Sequence, residues 1–247
     1  MRRGSRLTNV FYWPTLDLLT WGFITVYLNN VGKSGFNFLT AILSAVLLWN
    51  FFIRAQLGFH MAFLEDVWVR NFINLFATPL KVSEYVAGLV LTSIVAGFLS
   101  LILPVIVAWL FFSYNIFQLG FMLIPFFAVL FIFGWTVGLF SVAIMLRFGS
   151  SAESLTWTLP FIFIPFSGVY YPISALPVWA QKIAWMLPTS YIFEGVREVV
   201  SSGAFDAIKL LYGFGFSILY FFLAYFVVLQ VYKMVLRRGL FTRFSVE

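Results

Sequence analysis

The sequence predicts an all-α membrane protein with six transmembrane helices, an amphipathic cytoplasmic helix between spans 2 and 3, and short external re-entrant helices between spans 5 and 6. Of its 247 residues, 62% are hydrophobic and only 10% are charged, whereas soluble domains are about a quarter charged. The apolar runs are long and show no two-residue alternation, which favours helices over strands. A single membrane domain accounts for residues 1–247.

Each predicted span is an apolar run of the length that a bilayer requires. A hydrocarbon core roughly 30 Å thick needs about 20 apolar residues in a helix. Runs of this kind are separated by short polar breaks along the chain. The third and fourth runs exceed that length, so we expect those helices to tilt or protrude. The predicted spans cover about residues 13–30, 36–60, 85–112, 118–146, 154–171 and 208–233.

Lysine and arginine residues predict the orientation of these spans. Eleven of the 15 bases lie on the side that holds both termini, and four lie on the other side. Because cytoplasmic loops carry the excess of bases, we expect both termini in the cytoplasm. The expected location is the cell (inner) membrane of a bacterium or archaeon. The bases flank apolar runs instead of forming a basic surface, so membrane lipids are expected partners and nucleic acid is not.

The segment "EDVWVRNFINLFATPLKVSEY", residues 65–85, is unusually polar for this chain. At helical spacing its apolar side chains fall on one stripe, which predicts an amphipathic helix over residues 64–77 in the cytoplasmic headgroup layer. Thr78 and Pro79 are expected to end this helix, and Ser83 is expected to cap the third span. The alternative is an interfacial helix that only anchors the loop.

Prolines concentrate towards the external end of the fifth span. Five of the nine lie between Pro160 and Pro188. The ten residues between Pro177 and Pro188 would form a helix about 15 Å long. Because such a helix cannot cross a bilayer, we expect an interfacial or re-entrant piece at the external surface.

A second short helix is predicted over "YIFEGVREVVSSG", residues 191–203. Glu194, Arg197 and Glu198 have the spacing that lets them meet on one helix face. Two carboxylates this close could indicate acid/base chemistry, but the arginine between them favours an external helix stabilised by salt bridges. Gly203 is the expected end of the helix.

Three stretches resemble permeases of the type-2 ABC exporter family. They are "YWPTLDLLTWGFITVYL" in the first span, "FLEDVWVRNFINLFATPLKVSEYVAGLVL" around the polar segment, and "PFSGVYYPISALPVWAQKIAWMLPTSYIFEGVRE" at the external end. Together they cover nearly the whole chain in the order found in the family. The resemblance implies a transmembrane subunit of an ABC transporter, which exports cargo with energy from a separate ABC ATPase subunit.

The resemblance also implies roles for individual residues. Family members act as pairs of permeases with two ATPases, so we expect a homodimer with the path at its two-fold interface. ATP and Mg would be bound by the partner ATPase, and no cofactor by this chain. The expected ATPase contacts in the coupling helix are Glu65, Asp66, Arg70, Asn71, Asn74, Thr78 and Pro79, its expected anchors are Trp68 and Phe72, and the expected external gate is Ser167, Gly168, Tyr170, Tyr171 and Pro172.

No catalytic or metal site is expected. The stretch "VGKSG" at residues 31–35 resembles a phosphate-binding loop, but Tyr27 stands where that pattern requires glycine. ATP hydrolysis therefore requires a separate protein. His60 is the only histidine and the chain has no cysteine, which rules out multi-histidine and thiolate metal sites. A lone histidine near the interface is expected to be a hydrogen-bonded anchor.

Polar residues inside the spans are the candidates for contact with cargo. Asp17 lies about a turn inside the first span, and Asn50 and Arg54 share a face of the second. The alternatives are an acid that meets an arginine or favours its helix N-terminus, hydrogen bonds between helices and an arginine that reaches the interface. The 33 phenylalanines would favour an amphiphilic, lipid-like, drug or glycan cargo over inorganic ions.

Two other functions fit the same composition. The first is a membrane scaffold or channel-like protein without coupled energy, in which the amphipathic helix is only an anchor. The second is a membrane-embedded lipid-modifying enzyme. An ATPase that co-purifies with the chain would distinguish an exporter from both, because neither alternative needs a motor.

Overall fold

The computed structural model describes residues 2–31, 37–68, 79–203 and 205–237, and every regular element within these ranges is helical. The prediction of an all-α protein is therefore confirmed. In chain order the α-helices are α1 (Arg2–Val31), α2 (Phe38–Trp68), α3 (Val82–Phe112), α4 (Leu123–Phe148), α5 (Glu153–Thr158), α6 (Val178–Ala184), α7 (Pro188–Ser202) and α8 (Ala207–Arg237). Short 3₁₀ helices cover Ile116–Met122, Ser150–Ala152, Leu159–Phe163 and Ile173–Ala175.

Four helical segments of the described residues are long and apolar enough to cross a membrane. They are Phe38–Trp68, Val82–Phe112, Ile116–Phe148 and Ala207–Arg237, and they match predicted spans 2, 3, 4 and 6. The first predicted span lies in α1, which has 30 residues but is more polar than the other long helices. The count of six spans remains a prediction.

Helix α2 lies at the centre of the bundle. It packs against α1, α3 and α4, and its apolar window is more buried than those of the other three segments. Glycines of α4 allow close contact: a Cβ on Gly138 would lie 2.8 Å from the Phe59 ring, and one on Gly134 would lie 3.2 Å from Ala55. Small residues let helix backbones approach in lipid, where van der Waals packing drives association.

The predicted boundary between the second span and the coupling helix is wrong. We expected the span to end at His60 and a separate helix to cover residues 64–77, but α2 continues without a break to Trp68. Phe63 and Leu64 are fully buried in a core shared with α4 and α8, and this packing keeps the segment helical. Residues 69–78 lie outside the described ranges, so the remainder of the amphipathic helix stays a prediction.

The start of α3 also differs from its prediction. The helix begins at Val82, and its N-cap residue is Lys81, not Ser83. The Lys81 N–H donates to Glu84 Oε2 at 2.9 Å, as in the carboxylate half of a capping box. Because the helix starts three residues before Tyr85, Ser83 lies in its first turn and does not have the extended backbone of a cap.

The predicted fifth span, residues 154–171, is not one continuous helix. α5 ends at Thr158, a 3₁₀ helix follows to Phe163, and turns lead to Gly168. Pro160 and Pro165 lack the backbone N–H that an α-helix uses at each interior position. The helical part covers residues 153–163, which is about 20 Å at most, and the chain continues as turns to Gly168.

Two short helices were predicted around Pro188, and α6 and α7 lie at those positions; their external location stays a prediction. α6 has 7 residues and α7 has 15. α7 ends at Gly203 as predicted, where φ is 69° and the Gly203 N–H donates to the Val199 carbonyl at 2.9 Å. Glycine adopts this left-handed conformation without a Cβ clash, so it closes the helix.

Candidate functional site

The loop over residues 167–173 contains all five predicted gate residues and is held by α7 at both ends. Arg197 donates to the Gly168 carbonyl at 2.5 Å, and Glu194 Oε1 accepts from the Ile173 N–H at 2.6 Å. Glu194 and Arg197 also pair with each other at 3.1 Å, and their side chains are only 18% and 16% exposed. Because each loop bond has a charged partner, these bonds are stronger than bonds between neutral groups.

Hydroxyl groups join the same loop to the first turn of α7. Ser167 Oγ lies 2.8 Å from Thr189 Oγ1, and Ser190 Oγ donates to the Phe166 carbonyl at 3.1 Å. The three hydroxyl residues are fully buried. Buried hydroxyl groups are nearly always hydrogen-bonded. The bond to Thr189 means that the predicted gate residue Ser167 fixes the loop against α7.

The opposite side of the loop contacts α1. Tyr170 stacks on Trp21 with ring centroids 3.9 Å apart and an interplanar angle of 13°. Trp21 lies ten residues before the end of α1 at Val31, which is about 15 Å along the helix axis. The loop therefore contacts α1 well before the end of that helix at Val31, as the predicted re-entrant segment would.

Tyr171 and Pro172, the remaining predicted gate residues, follow Tyr170 in the loop. The Tyr171 hydroxyl donates to the Pro165 carbonyl at 2.7 Å. Pro172 is exposed and precedes the 3₁₀ helix Ile173–Ala175. Both residues stabilise the turn of the loop in this conformation, whereas Tyr170 provides its contact with the first helix.

Two of the three predicted pathway residues meet one turn from Trp21. Asn50 Nδ2 donates to Asp17 Oδ2 at 2.9 Å and to the Val46 carbonyl at 3.0 Å. Asp17 and Asn50 are half-buried between α1 and α2. Arg54 lies one turn further along α2 and is also half-buried. The structure thus places Asp17 and Asn50 next to the predicted gate.

The predicted coupling residues that the structure describes lie where α2 ends and α3 begins. Glu65 and Asp66 are half-buried, Pro79 is exposed, and Trp68 is 46% exposed. The Tyr85 hydroxyl donates to Asp66 Oδ2 at 2.8 Å, so one hydrogen bond joins the two helices on either side of the polar segment. The other predicted residues, Arg70, Asn71, Phe72, Asn74 and Thr78, lie outside the described residues.

His60 forms a buried hydrogen bond with the broken helix. Its Nε2 lies 2.7 Å from Thr156 Oγ1, and Thr156 also donates to the Glu153 carbonyl at 2.7 Å. Both side chains are fully buried, which agrees with the expected role of His60 as an anchor. Across residues 2–31, 37–68, 79–203 and 205–237, no group of three His, Cys, Asp or Glu side chains is arranged to hold a metal ion.

The sequence did not point to Trp21, and it did not show that Glu194 and Arg197 bond to the backbone of the 167–173 loop. Their spacing correctly predicted that they pair. Their bonds to Gly168 and Ile173 join residues more than twenty positions apart, and helical periodicity carries no information about such contacts. A signal was present in the concentration of prolines before α7, because a proline-rich turn needs partners for its free backbone groups.

One comparison with known proteins identifies a family. A family model described as ABC-2 type transporter matches residues 2–200. The matched range begins with α1, includes the 167–173 loop and extends through most of α7. No curated protein gives a significant match.

Proposed function

The chain belongs to the ABC-2 type transporter family, whose model matches residues 2–200, and on this premise we propose that it is the permease subunit of an ATP-driven exporter. The family match is the observation that carries the proposal. The proposed cargo is amphiphilic, such as a lipid-like molecule, a drug or a glycan, and it moves outward through a path at a permease dimer interface. ATP and Mg²⁺ are bound by a separate ATPase subunit.

The continuity of α2 supports mechanical coupling to that ATPase. The helix has 31 residues, so it is about 46 Å long. It carries Glu65 and Asp66 at one end and Asn50 fifteen residues earlier. Closure of the ATPase dimer would push the segment after α2 and tilt α2 as a rigid body. Because Asp66 is bonded to Tyr85, α3 would move with it.

The same movement would reach the proposed path. Asn50 lies on α2 and its partner Asp17 lies on α1, so a tilt of α2 relative to α1 changes that contact. Asp17, Trp21 and Tyr170 are partly exposed on the single chain. A second copy related by a two-fold axis would enclose this surface and form a path between the two permeases.

Co-purification distinguishes this function from the alternatives. An exporter subunit is expected to bring down an ABC ATPase, with two copies per permease dimer, when the tagged chain is isolated in mild detergent. An uncoupled scaffold or channel-like protein has no such partner, and neither has a lipid-modifying enzyme. Repeated purification of the chain without any ATPase would contradict the proposal.

The coupling segment provides the sharper test. We expect Arg70→Glu, or a proline at Asn71, to abolish transport and substrate-stimulated ATP hydrolysis in the reconstituted complex, because each change disrupts the segment that meets the motor. The yield and the melting temperature of the permease should be unchanged. Lys182→Glu, a charge reversal on the exposed side of α6, is the matched control and should retain both activities. Full activity of both coupling variants would remove the assignment.

A further inference from the structure

Asp17 is a carboxylate whose partners among the described residues are all neutral. Asn50 donates to it at 2.9 Å, and neither the ion pair of Glu194 with Arg197 nor that of Glu198 with Lys209 involves Asp17. The side chain is half-buried between α1 and α2. An acid placed within a membrane helix is unfavourable unless a positive charge compensates it. The bundle therefore presents an anion that its own described side chains do not neutralise.

Two aromatic rings lie beside this carboxylate. Trp21 is four residues after Asp17 on α1, and positions four apart share a helix face. Tyr170 stacks on Trp21 at 3.9 Å. Both rings are partly exposed, so part of their surface is open to a ligand. The face of an aromatic ring carries negative potential and attracts organic cations, most strongly in the case of tryptophan.

We propose that Asp17, Trp21 and Tyr170 form a binding site for an amphiphilic organic monocation. The positive charge of the ligand lies against the Asp17 carboxylate, and its apolar part packs on the two rings. Asn50 is a positioning residue, because its hydrogen bond holds the carboxylate towards the rings. The claim that such a cation is the cargo rests on the proposed export function. The claim that these residues bind it rests on the geometry alone.

The chemistry of the site favours this ligand over the other cargo classes. A neutral glycan would leave the charge of Asp17 uncompensated, and an anionic lipid would be repelled by it. An inorganic divalent ion needs six or more oxygen ligands, whereas the site contains one carboxylate and no cluster of further acids among the described residues. A monocation with apolar substituents satisfies both the carboxylate and the rings.

Two hydrophobic ions of equal size and opposite charge test the site. The full-length permease in lipid nanodiscs is dialysed to equilibrium against radiolabelled tetraphenylphosphonium or tetraphenylborate, and the uptake of empty nanodiscs is subtracted. We expect saturable binding of the cation and none of the anion. Asp17→Asn should weaken binding of the cation about tenfold or more, because it removes the charge-assisted contact. Asp17→Glu should retain binding.

Asp206→Asn is the matched control. Asp206 is an exposed acid whose Oδ1 accepts from the Ile208 N–H at 2.9 Å at the start of α8, and asparagine preserves that cap. This variant should bind the cation like the unaltered chain. Equal binding of both ions, or full cation binding by a folded Asp17→Asn variant, would overturn the site. The assay contains neither nucleotide nor ATPase, so a failure of coupling leaves its result unaffected.

Discussion

Two single residues, Arg197 and Glu194, bond to backbone groups that no other described side chain reaches. Arg197 donates to the Gly168 carbonyl, and Glu194 accepts from the Ile173 N–H. An unpaired backbone group in apolar surroundings is unfavourable by about 1–3 kcal/mol. The ion pair therefore stabilises one conformation of the 167–173 loop, and with it the position of Tyr170 against Trp21.

Gly168 is the residue on which this arrangement depends most directly. Its φ is 66°, and a Cβ there would lie 3.0 Å from the Arg197 guanidinium and 3.1 Å from the Ile173 side chain. We expect Gly168→Ala to destabilise the protein by roughly 2–3 kcal/mol, from backbone strain together with displacement of Arg197. Thermal unfolding of the purified permease in detergent measures this.

Gly203→Ala separates the two causes. Gly203 also has a positive φ, of 69°, in the left-handed region, but a Cβ there meets no atom within 4 Å. We expect that substitution to destabilise by only about 1 kcal/mol, the contribution of backbone strain alone. If the two variants unfold at the same temperature, the contact between Gly168 and Arg197 contributes nothing to stability.

At the scale of elements, the loop joins α7 to α1. α7 packs on α8 and α4, so the bonds from Glu194 and Arg197 join the loop to the body of the bundle. On its other side the loop meets α1 through the stack of Tyr170 on Trp21. A relative movement of α1 is therefore expected to break the aromatic contact before the charged one.

Glu194→Ala is predicted to loosen the loop without unfolding the protein. The chain contains no cysteine, so Ser174→Cys, an exposed position next to the loop, gives a single reactive thiol. We expect its rate of reaction with maleimide to rise several-fold when Glu194 is replaced, because the Ile173 N–H then loses its carboxylate partner. The measurement is the labelling rate of the purified permease.

Glu198→Ala is the control for this experiment. Glu198 lies on the same helix but pairs with Lys209 of α8, so its removal should leave the reactivity of the Ser174→Cys thiol unchanged. An equal rise in both variants would show that α7 as a whole has become mobile. The specific role of Glu194 in holding the loop would then be contradicted.

At the scale of the whole molecule, the bases predict which end of the bundle lies in the cytoplasm. In the predicted six-span topology, eleven of the 15 bases lie on the side of both termini, and the positive-inside rule places that side in the cytoplasm. The 167–173 loop and α6 would then be external. The two ends of the bundle can be distinguished with single cysteines, one at each end.

Membrane-impermeant maleimide tests this orientation in intact cells. We expect Ser174→Cys to be labelled from outside, and Ser83→Cys, an exposed position in the first turn of α3, to be labelled only after the membrane is permeabilised. The labelled fraction is read on a gel after purification. The reverse pattern would place the polar segment outside the cell, where no ATPase could reach it.

The composition and spacing of residues were sufficient to predict the class of the protein and the location of most helices. Spans 2, 3, 4 and 6 correspond to α2, α3, the Ile116–Phe148 segment and α8, because long apolar runs have few stable forms in lipid. The two short helices and the stop at Gly203 followed from proline and glycine positions. These features depend on neighbours in sequence, which a single chain displays directly.

Tertiary structure alone decided where α2 ends and how the loop is held. Burial of Phe63 and Leu64 against α4 and α8 extends α2 to Trp68, although the local polarity of Glu65 and Asp66 suggested a break. The stack of Trp21 on Tyr170 and the bonds of Arg197 to Gly168 join distant parts of the chain. Their existence depends on packing in three dimensions, and periodicity within one helix contains no record of that packing.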